Sequence, residues 1–482
     1  MNSTIADRGA AVAMTLALCL ANASPCTACF SIVVGKNVSA DGCVLVAHNE
    51  DDSPPQIVNH HKVPRRTHQK GEMLTLGNGG QVEQVPQTWA YLWSEMPGMP
   101  FSDSFVNEWG VCVTSDNCPS RETQGELTDG GIGKMLRRLV AERARTARDG
   151  VRIASELVER FGYVASGRTY IIADPEEGWL FCAIQGKRWL ARRVDDDEVA
   201  MVANTYTVRE VDLADTENVL ASQDIRSYAV KRGWCDSDEG KPFDFAATYA
   251  DPASAAHPVN YGRQAIGLRY VALNPEAIDN KPPFSVVPSE KLGVTDLMTV
   301  LRHSGSGRSI CSIDGRQIDC GMSEAICRGT TQTSFVARLG TQPSRELGIV
   351  YWVCLAAPET SVFIPFHFGI PDFPAGFRSE SQRPTSEFFA RKITSPFQPD
   401  PSQAFWTFAN FRHKAEKMSN SQKTRIRAEA EAIEASTLLA NQTATEGLHS
   451  AAPDATMKLL QALPANAYLS ALTMMTENLA SE

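Results

Sequence analysis

Cys29 opens the run Cys29-Phe30-Ser31-Ile32-Val33-Val34-Gly35-Lys36, and His48-Asn49-Glu50-Asp51-Asp52 follows it closely. A cut in the peptide bond before Cys29 leaves one residue carrying both a thiol and a free α-amine. Such a residue holds a nucleophile and its own general base, because an α-amine titrates at about pH 7.7–8.0. A thiol that can pass its proton to that amine is a competent nucleophile near neutral pH. The other reading of the segment is an apolar first strand in which Cys29 is a small buried hydrophobe.

The residues before Cys29 suit the first reading. Arg8 gives a weakly basic start, residues 10–20 a short apolar core, and Ala21-Asn22-Ala23 a small-residue cleavage signal, so export to the periplasm or exterior is expected. Cleavage after Ala23 leaves Ser24 to Ala28 ahead of Cys29, so a second, autocatalytic cut is required, and Cys26 is the rival start. No later run approaches the length of about 18 uncharged apolar residues that a spanning helix needs, so no membrane partner is expected. A formal charge of −10 argues against nucleic acid. Twelve cysteines in 482 residues are too few for a disulfide scaffold. Export still permits pairing, and Cys112/Cys118 and Cys311/Cys320/Cys327 are the closest-spaced candidates. Cysteine and histidine do not recur at zinc spacing, so neither a metal nor an organic cofactor is expected.

The elements around Cys29 must hold it in place. Ser31 to Val34 and Cys43 to Ala47 read as β-branched strands joined around the turn dipeptide Asp41-Gly42. Residues 53–100, rich in Pro, Gly, His and Gln with isolated strand-like pieces such as Trp89 to Trp93, read as loops lining a site, and residues 105–114 read as a hairpin. Helical periodicity runs from Gly131 to Phe161, with an interruption expected at Gly150 and a stop at Gly162. Arg137, Arg138, Arg143, Arg145 and Arg148 are expected on its solvent face. Strands follow at residues 169–173, 179–184, 189–193 and 200–204, then a helix over Val294 to Leu301 and late strands at 349–355 and 361–366. Pro365 fits an edge or a strand end. Antiparallel hairpins alternating with long helices indicate layered α and β elements and not a parallel sheet. A Pro-rich connector over residues 371–403 and helices over 404–482 complete the chain.

Several short pieces in order carry a family resemblance. They are Cys29 to Gly35, Ser39-Ala40-Asp41-Gly42, His48 to Asp52, Asn107-Glu108-Trp109-Gly110-Val111, Gly167-Arg168-Thr169-Tyr170, Val202-Ala203-Asn204-Thr205 and Thr330-Thr331-Gln332-Thr333-Ser334. Over most of residues 29–370 the chain resembles the cysteine dipeptidase family of N-terminal-nucleophile hydrolases. The resemblance implies an α+β fold, a four-layer αββα sandwich, with self-exposure of the cysteine and hydrolysis of dipeptides. It places Cys29 as nucleophile by its distance to Gly35-Lys36.

That family is similar in turn to the penicillin V acylases and bile salt hydrolases. Their early strand ends in a basic residue, Asn, any residue and Asp, which here reads His48-Asn49-Glu50-Asp51. By this likeness Asp51 accepts a hydrogen bond from the Cys29 amine or positions the thiol. His48 stands where those relatives carry an arginine and is counted with the substrate-binding residues. Asn204 matches an oxyanion-hole amide, and Asn117, seven residues after Gly110, matches a second one or forms a simple turn. Arg168 and Arg328 are candidate clamps for a substrate carboxylate, since guanidinium matches its planar fork, or else structural ion-pair partners.

The expected reaction begins when the Cys29 amine takes the thiol proton. The thiolate attacks a peptide carbonyl, Asn204 and a backbone N–H hold the oxyanion, and water resolves the thioester with the same amine as base. Dipeptides or small amides are the expected partners, and a homo-oligomer is left open. Two other functions fit the same residues: an amidase or acylase for non-peptide amides, and an exported binding protein on an inactive scaffold.

Overall fold

In a computed structural model the described residues are 29–52, 58–96, 101–237, 241–279, 281–305, 310–313, 316–319, 324–378, 402–447 and 453–480. The leader with Cys26, most of the Pro-rich connector and the side chains of Cys311 and Cys320 lie outside them. Among the described residues fifteen strands build two antiparallel sheets. In chain order they are β1 Phe30–Val34, β2 Leu45–Asp51, β3 Asn59–Val63, β4 Tyr91–Glu95, β5 Ser104–Asn107, β6 Cys112–Asn117, β7 Tyr163–Ala173, β8 Gly178–Gly186, β9 Trp189–Val194, β10 Val199–Val202, β11 Val219–Ala221, β12 Ser285–Val286, β13 Thr331–Leu339, β14 Ile349–Leu355 and β15 Ile364–His367. The first sheet runs β12-β10-β1-β2-β13-β14-β15 and the second β11-β9-β8-β7-β6-β5-β4-β3. Pro365 therefore sits on an edge strand, where its missing N–H leaves no gap inside the sheet.

Alternation along the strands explains the layers. Val33 and Val46 of the first sheet pack with Ile171, Leu180 and Ile184 of the second, filling the space between the sheets. The opposite faces carry Phe30, Ile32 and Leu45 on one side and Val113, Tyr170 and Phe181 on the other. Helices α3 (Pro258–Val271) and α4 (Val294–Leu301) cover the first face, while α1 (Met135–Arg143) and α2 (Ala147–Phe161) cover the second. The result is the expected αββα sandwich. Helices α5 (Ala404–Ala415), α6 (Asn420–Gly447) and α7 (Pro453–Ala480) add a layer against the β14–β15 edge. Arg302, just past α4, and Glu434 of α6 form a buried ion pair, and the Phe363 N–H also donates to Glu434 at 2.7 Å.

Three local expectations need correction. The helical stretch breaks at Ala144–Thr146 and not at Gly150, because the Thr146 hydroxyl accepts the Asp149 N–H and starts a new helix. Arg137 is fully buried, reaching Ser115 Oγ at 2.9 Å, while Arg145 and Arg148 are exposed as expected. β3, the edge strand of the second sheet, lies where loops were expected, while β4 overlaps the strand-like piece Trp89 to Trp93.

Gly150 has a different task from the one its type suggests. A Cβ there would lie 2.7 Å from Ile172 Cγ2 on the sheet beneath, so the glycine lets α2 approach β7. Gly150→Ala, which normally stabilises a helix, is expected to destabilise the fold by about 1–3 kcal/mol through overpacking. Chemical denaturation of the variant measures this, and a gain in stability would refute the packing account.

Candidate active site

The pairing of β1 with β2 sets Ser31 opposite His48 and Phe30 opposite Asn49. Cys29 and Ser31 thus share the inward face with His48 and Glu50, where the neighbouring positions are apolar. A chain of contacts results. Cys29 Sγ donates to Glu50 Oε1 at 3.1 Å, and Glu50 Oε2 lies 3.1 Å from His48 Nε2. His48 Nδ1 lies 2.8 Å from Ser31 Oγ, which lies 2.5 Å from Asp116 Oδ2 on β6. All five side chains are buried.

Burial sets their protonation. It pushes the Glu50 carboxyl up to about 7 and Asp116 up to about 6, drives the Cys29 thiol well above its ordinary value, and lowers the His48 imidazole to about 4. A neutral imidazole carries one N–H, and Ser31 has one hydrogen to give. If Ser31 donates to Asp116, then His48 Nδ1–H donates to Ser31 and a protonated Glu50 donates to Nε2. If Asp116 holds the proton, every bond from Glu50 to Asp116 reverses and Nε2–H donates to an ionised Glu50, while the Cys29 thiol donates to Oε1 in both cases. In both arrangements Glu50 and Asp116 share one proton.

Asp51 lies beside this chain. Its carbonyl sits 3.8 Å from Cys29 Sγ, and its carboxylate accepts from Thr331 Oγ1, with Oδ2 buried and unpartnered among the described residues. Burial raises this carboxyl to about 7, against the pull of Arg263 and Arg328. The sequence reading missed Arg263 on α3. It donates to the Cys29 carbonyl at 3.0 Å and to Asn204 Oδ1 at 2.7 Å, tying the two residues together.

Asn204 stands two residues past β10 with φ of 53°, a left-handed conformation uncommon outside glycine that aims its amide back at the site. Asn204 Nδ2 donates to the Asn117 carbonyl at 3.0 Å. Asn117 thus contributes its backbone oxygen here, where a side-chain amide was expected.

The two arginines differ. Arg168 stacks on Phe101 at 4.6 Å and donates to Tyr163 Oη and to Ser115 Oγ, which it shares with Arg137. These contacts occupy it on the α1 side of the second sheet, so it is placed as a structural cation. Arg328 is half-buried with Nη1 unpartnered among the described residues, close enough to Asp51 and Arg263 to act on both.

His48 is enclosed, and reaches Cys29 only through Glu50. Cys112 and Cys118 are free thiols, because six residues of extended strand separate them by about 20 Å. Cys29, His48 and Glu50 form the one thiol–imidazole–carboxylate group within 4.8 Å among the described residues. Their atoms are already engaged with each other, so the group is assigned to proton sharing.

Fold and site together define a class: an αββα sandwich with a buried thiol heading its first strand, held against carboxylates. A profile of peptidase family C69 matches residues 120–414, more than half of the chain, and the chain belongs to that family of hydrolases. Probable dipeptidase B of Streptococcus pyogenes serotype M1 is 22% identical over 362 residues, covering 70% of this chain and 72% of its own. Probable dipeptidase of Salmonella dublin is 25% identical over 370 residues, covering 72% and 83%. A crystal structure of a mutant conjugated bile acid hydrolase from Clostridium perfringens aligns over 71% of this chain and 92% of that one, with 11% identity and a TM-score of 0.36.

The raised carboxyls make stability depend on pH. Between the ordinary value of 4.5 and about 7, native Glu50 keeps a proton that the unfolded chain has lost, so its contribution falls as pH rises through that window. Asp51 acts in the same direction from 3.8 to about 7, and His48 in the opposite one from 4 to 6.5. Glu50→Gln, which mimics the protonated acid, is expected to stabilise the fold more at pH ~8.5 than at pH ~5, by on the order of 1–3 kcal/mol. Denaturation at the two pH values checks this, and an advantage independent of pH would contradict it.

Proposed function

We propose that this protein is exported, loses its first 28 residues, and hydrolyses dipeptides with Cys29 as an N-terminal nucleophile. The observation that carries this reading is the Cys29 thiol in contact with a carboxylate at 3.1 Å, while Arg263 links the same residue to Asn204. Attack of the thiolate on the scissile carbonyl forms a thioester and releases the C-terminal amino acid. The Asn204 amide has two hydrogens, of which the Asn117 carbonyl takes one. The second is available to the oxyanion, where charge develops only as the reaction proceeds. Arg328, with a buried nitrogen unpartnered among the described residues, takes the carboxylate of the dipeptide. The free Cys29 amine then activates the water that resolves the thioester.

The C69 membership and the relatives named as dipeptidases support a peptide substrate over other amides. The test is a panel of dipeptides, tripeptides, penicillin V and a conjugated bile acid, run with wild type and Cys29→Ala. Hydrolysis of dipeptides that disappears in Cys29→Ala is the expected result. Full activity in Cys29→Ala, or turnover of penicillin V or the bile acid alone, would defeat the proposal. Asn204→Ala is expected to lower kcat by roughly 10²- to 10³-fold with a smaller change in KM. Wild-type kcat in that variant would remove Asn204 from the oxyanion site.

A further inference from the structure

We infer that Glu50 is a catalytic residue that receives the Cys29 thiol proton and returns it to the leaving amine, and that His48, Ser31 and Asp116 switch it into the form able to do so. The inference rests on the reading of Cys29 as nucleophile and adds a proton acceptor that the sequence did not reveal. Glu50 Oε1 is the side-chain atom in hydrogen-bond contact with Cys29 Sγ, and Asp51 offers only its carbonyl, at 3.8 Å. Before the chain is cut at Cys29, moreover, the nitrogen of that residue is an amide and has no basic lone pair. A carboxylate already touching the thiol serves the cut that frees the amine as well as the later turnovers.

Atoms and charge balance along the chain. The shared proton moves to Asp116, with one hydrogen passing from Glu50 to His48 Nε2, one from Nδ1 to Ser31 and one from Ser31 to Asp116. Glu50 is then ionised. The Sγ–H bond breaks as Oε1–H forms, Sγ bonds to the substrate carbonyl carbon, the C–N bond breaks, and the proton on Oε1 passes to the departing nitrogen. Nothing is oxidised or reduced.

The surrounding charges set where Glu50 works. Arg137 from α1 and Arg168 from β7 favour its ionised form, as does the hydrogen bond from the Cys29 thiol. Asp51 on its own strand, Asp103, and Asp116 from β6 oppose it, and Tyr351 on β14 faces it uncharged. Burial outweighs the arginines and brings the carboxyl to about 7, near the optimum for a base at neutral pH.

The experiment uses the mature enzyme with alanyl-alanine as substrate and iodoacetamide as thiol probe, each followed from about pH 5 to 9. Wild type is expected to show kcat/KM and alkylation both rising through about 7. Glu50→Gln is expected to lose that rise in both readouts and to drop roughly 10²- to 10⁴-fold in kcat/KM. Asp116→Asn is expected to keep the rise but displace it, since it alters only the far end of the chain. Glu50→Gln with the wild-type rate and profile overturns the inference. Should that variant fail to fold, Glu50→Asp decides, because it withdraws the carboxylate from Sγ, and an unchanged kcat/KM overturns the inference. Activity lost in Cys29→Ala but kept in Glu50→Gln removes this inference alone, whereas full activity in Cys29→Ala removes the nucleophile reading with it.

Discussion

Two carboxyls, an imidazole, a hydroxyl and a thiol lie in a row between two sheets whose facing residues are mostly apolar. Each group would be costly to bury alone, and each is satisfied by the next. The row exists only in one register. Ser31 must oppose His48 across β1 and β2, and Asp116 must arrive from the second sheet. A slip of β1 by one residue would turn Cys29 and Ser31 toward the helices and leave His48 and Glu50 without these partners. The polar row therefore locks the hairpin register, and the apolar packing around it keeps water from weakening its internal bonds.

The opposite face of β2 explains how distant parts of the chain support this register. Asn49 points outward, donates to the carbonyls of Leu301 and Ile326 at 3.0 and 3.2 Å, and accepts from Ser334 at 2.6 Å. It thereby satisfies an orphan carbonyl at the end of α4. The next residue, Arg302, is paired with Glu434 of the C-terminal helices. Contacts thus run from the site strand through a helix end to α6, so the C-terminal helices brace the sheet that carries the candidate site. On the other flank Arg263 performs the equivalent task, holding Cys29 and Asn204 to one guanidinium.

Local chemistry made part of this legible in the sequence. The β-branched runs on either side of Asp41-Gly42 form the first hairpin, Val294–Leu301 and Ile349–Leu355 match their apolar patterns, and Gly162 ends α2 with a positive φ. Cys29, Asp51 and Asn204 gather at one place because the spacing that suggested them reflects the strand ends that carry them. Glu50, Ser31 and Asp116 were not legible as a group, since their partnership depends on pairing between sheets and on residues 85 positions apart. Arg263 is 234 positions from Cys29 and lies in a segment with no motif of its own. Arg137 did leave a signal, three residues before the buried Val140 on the same side of α1, but a surface of arginines masked it. Arg168 resembled a clamp by type, and only packing shows its Nε and Nη1 engaged with Ser115, Tyr163 and the Phe101 carbonyl.

The central claim is a covalent intermediate on Cys29 at the start of the mature chain. Acid-quenching the enzyme during turnover of a dipeptide and determining the mass of its N-terminal fragment tests both halves at once. The expected fragment begins at Cys29 and carries the added mass of the substrate's N-terminal aminoacyl group. A fully active enzyme whose fragment begins upstream of Cys29, or one that never carries the adduct there, would contradict it.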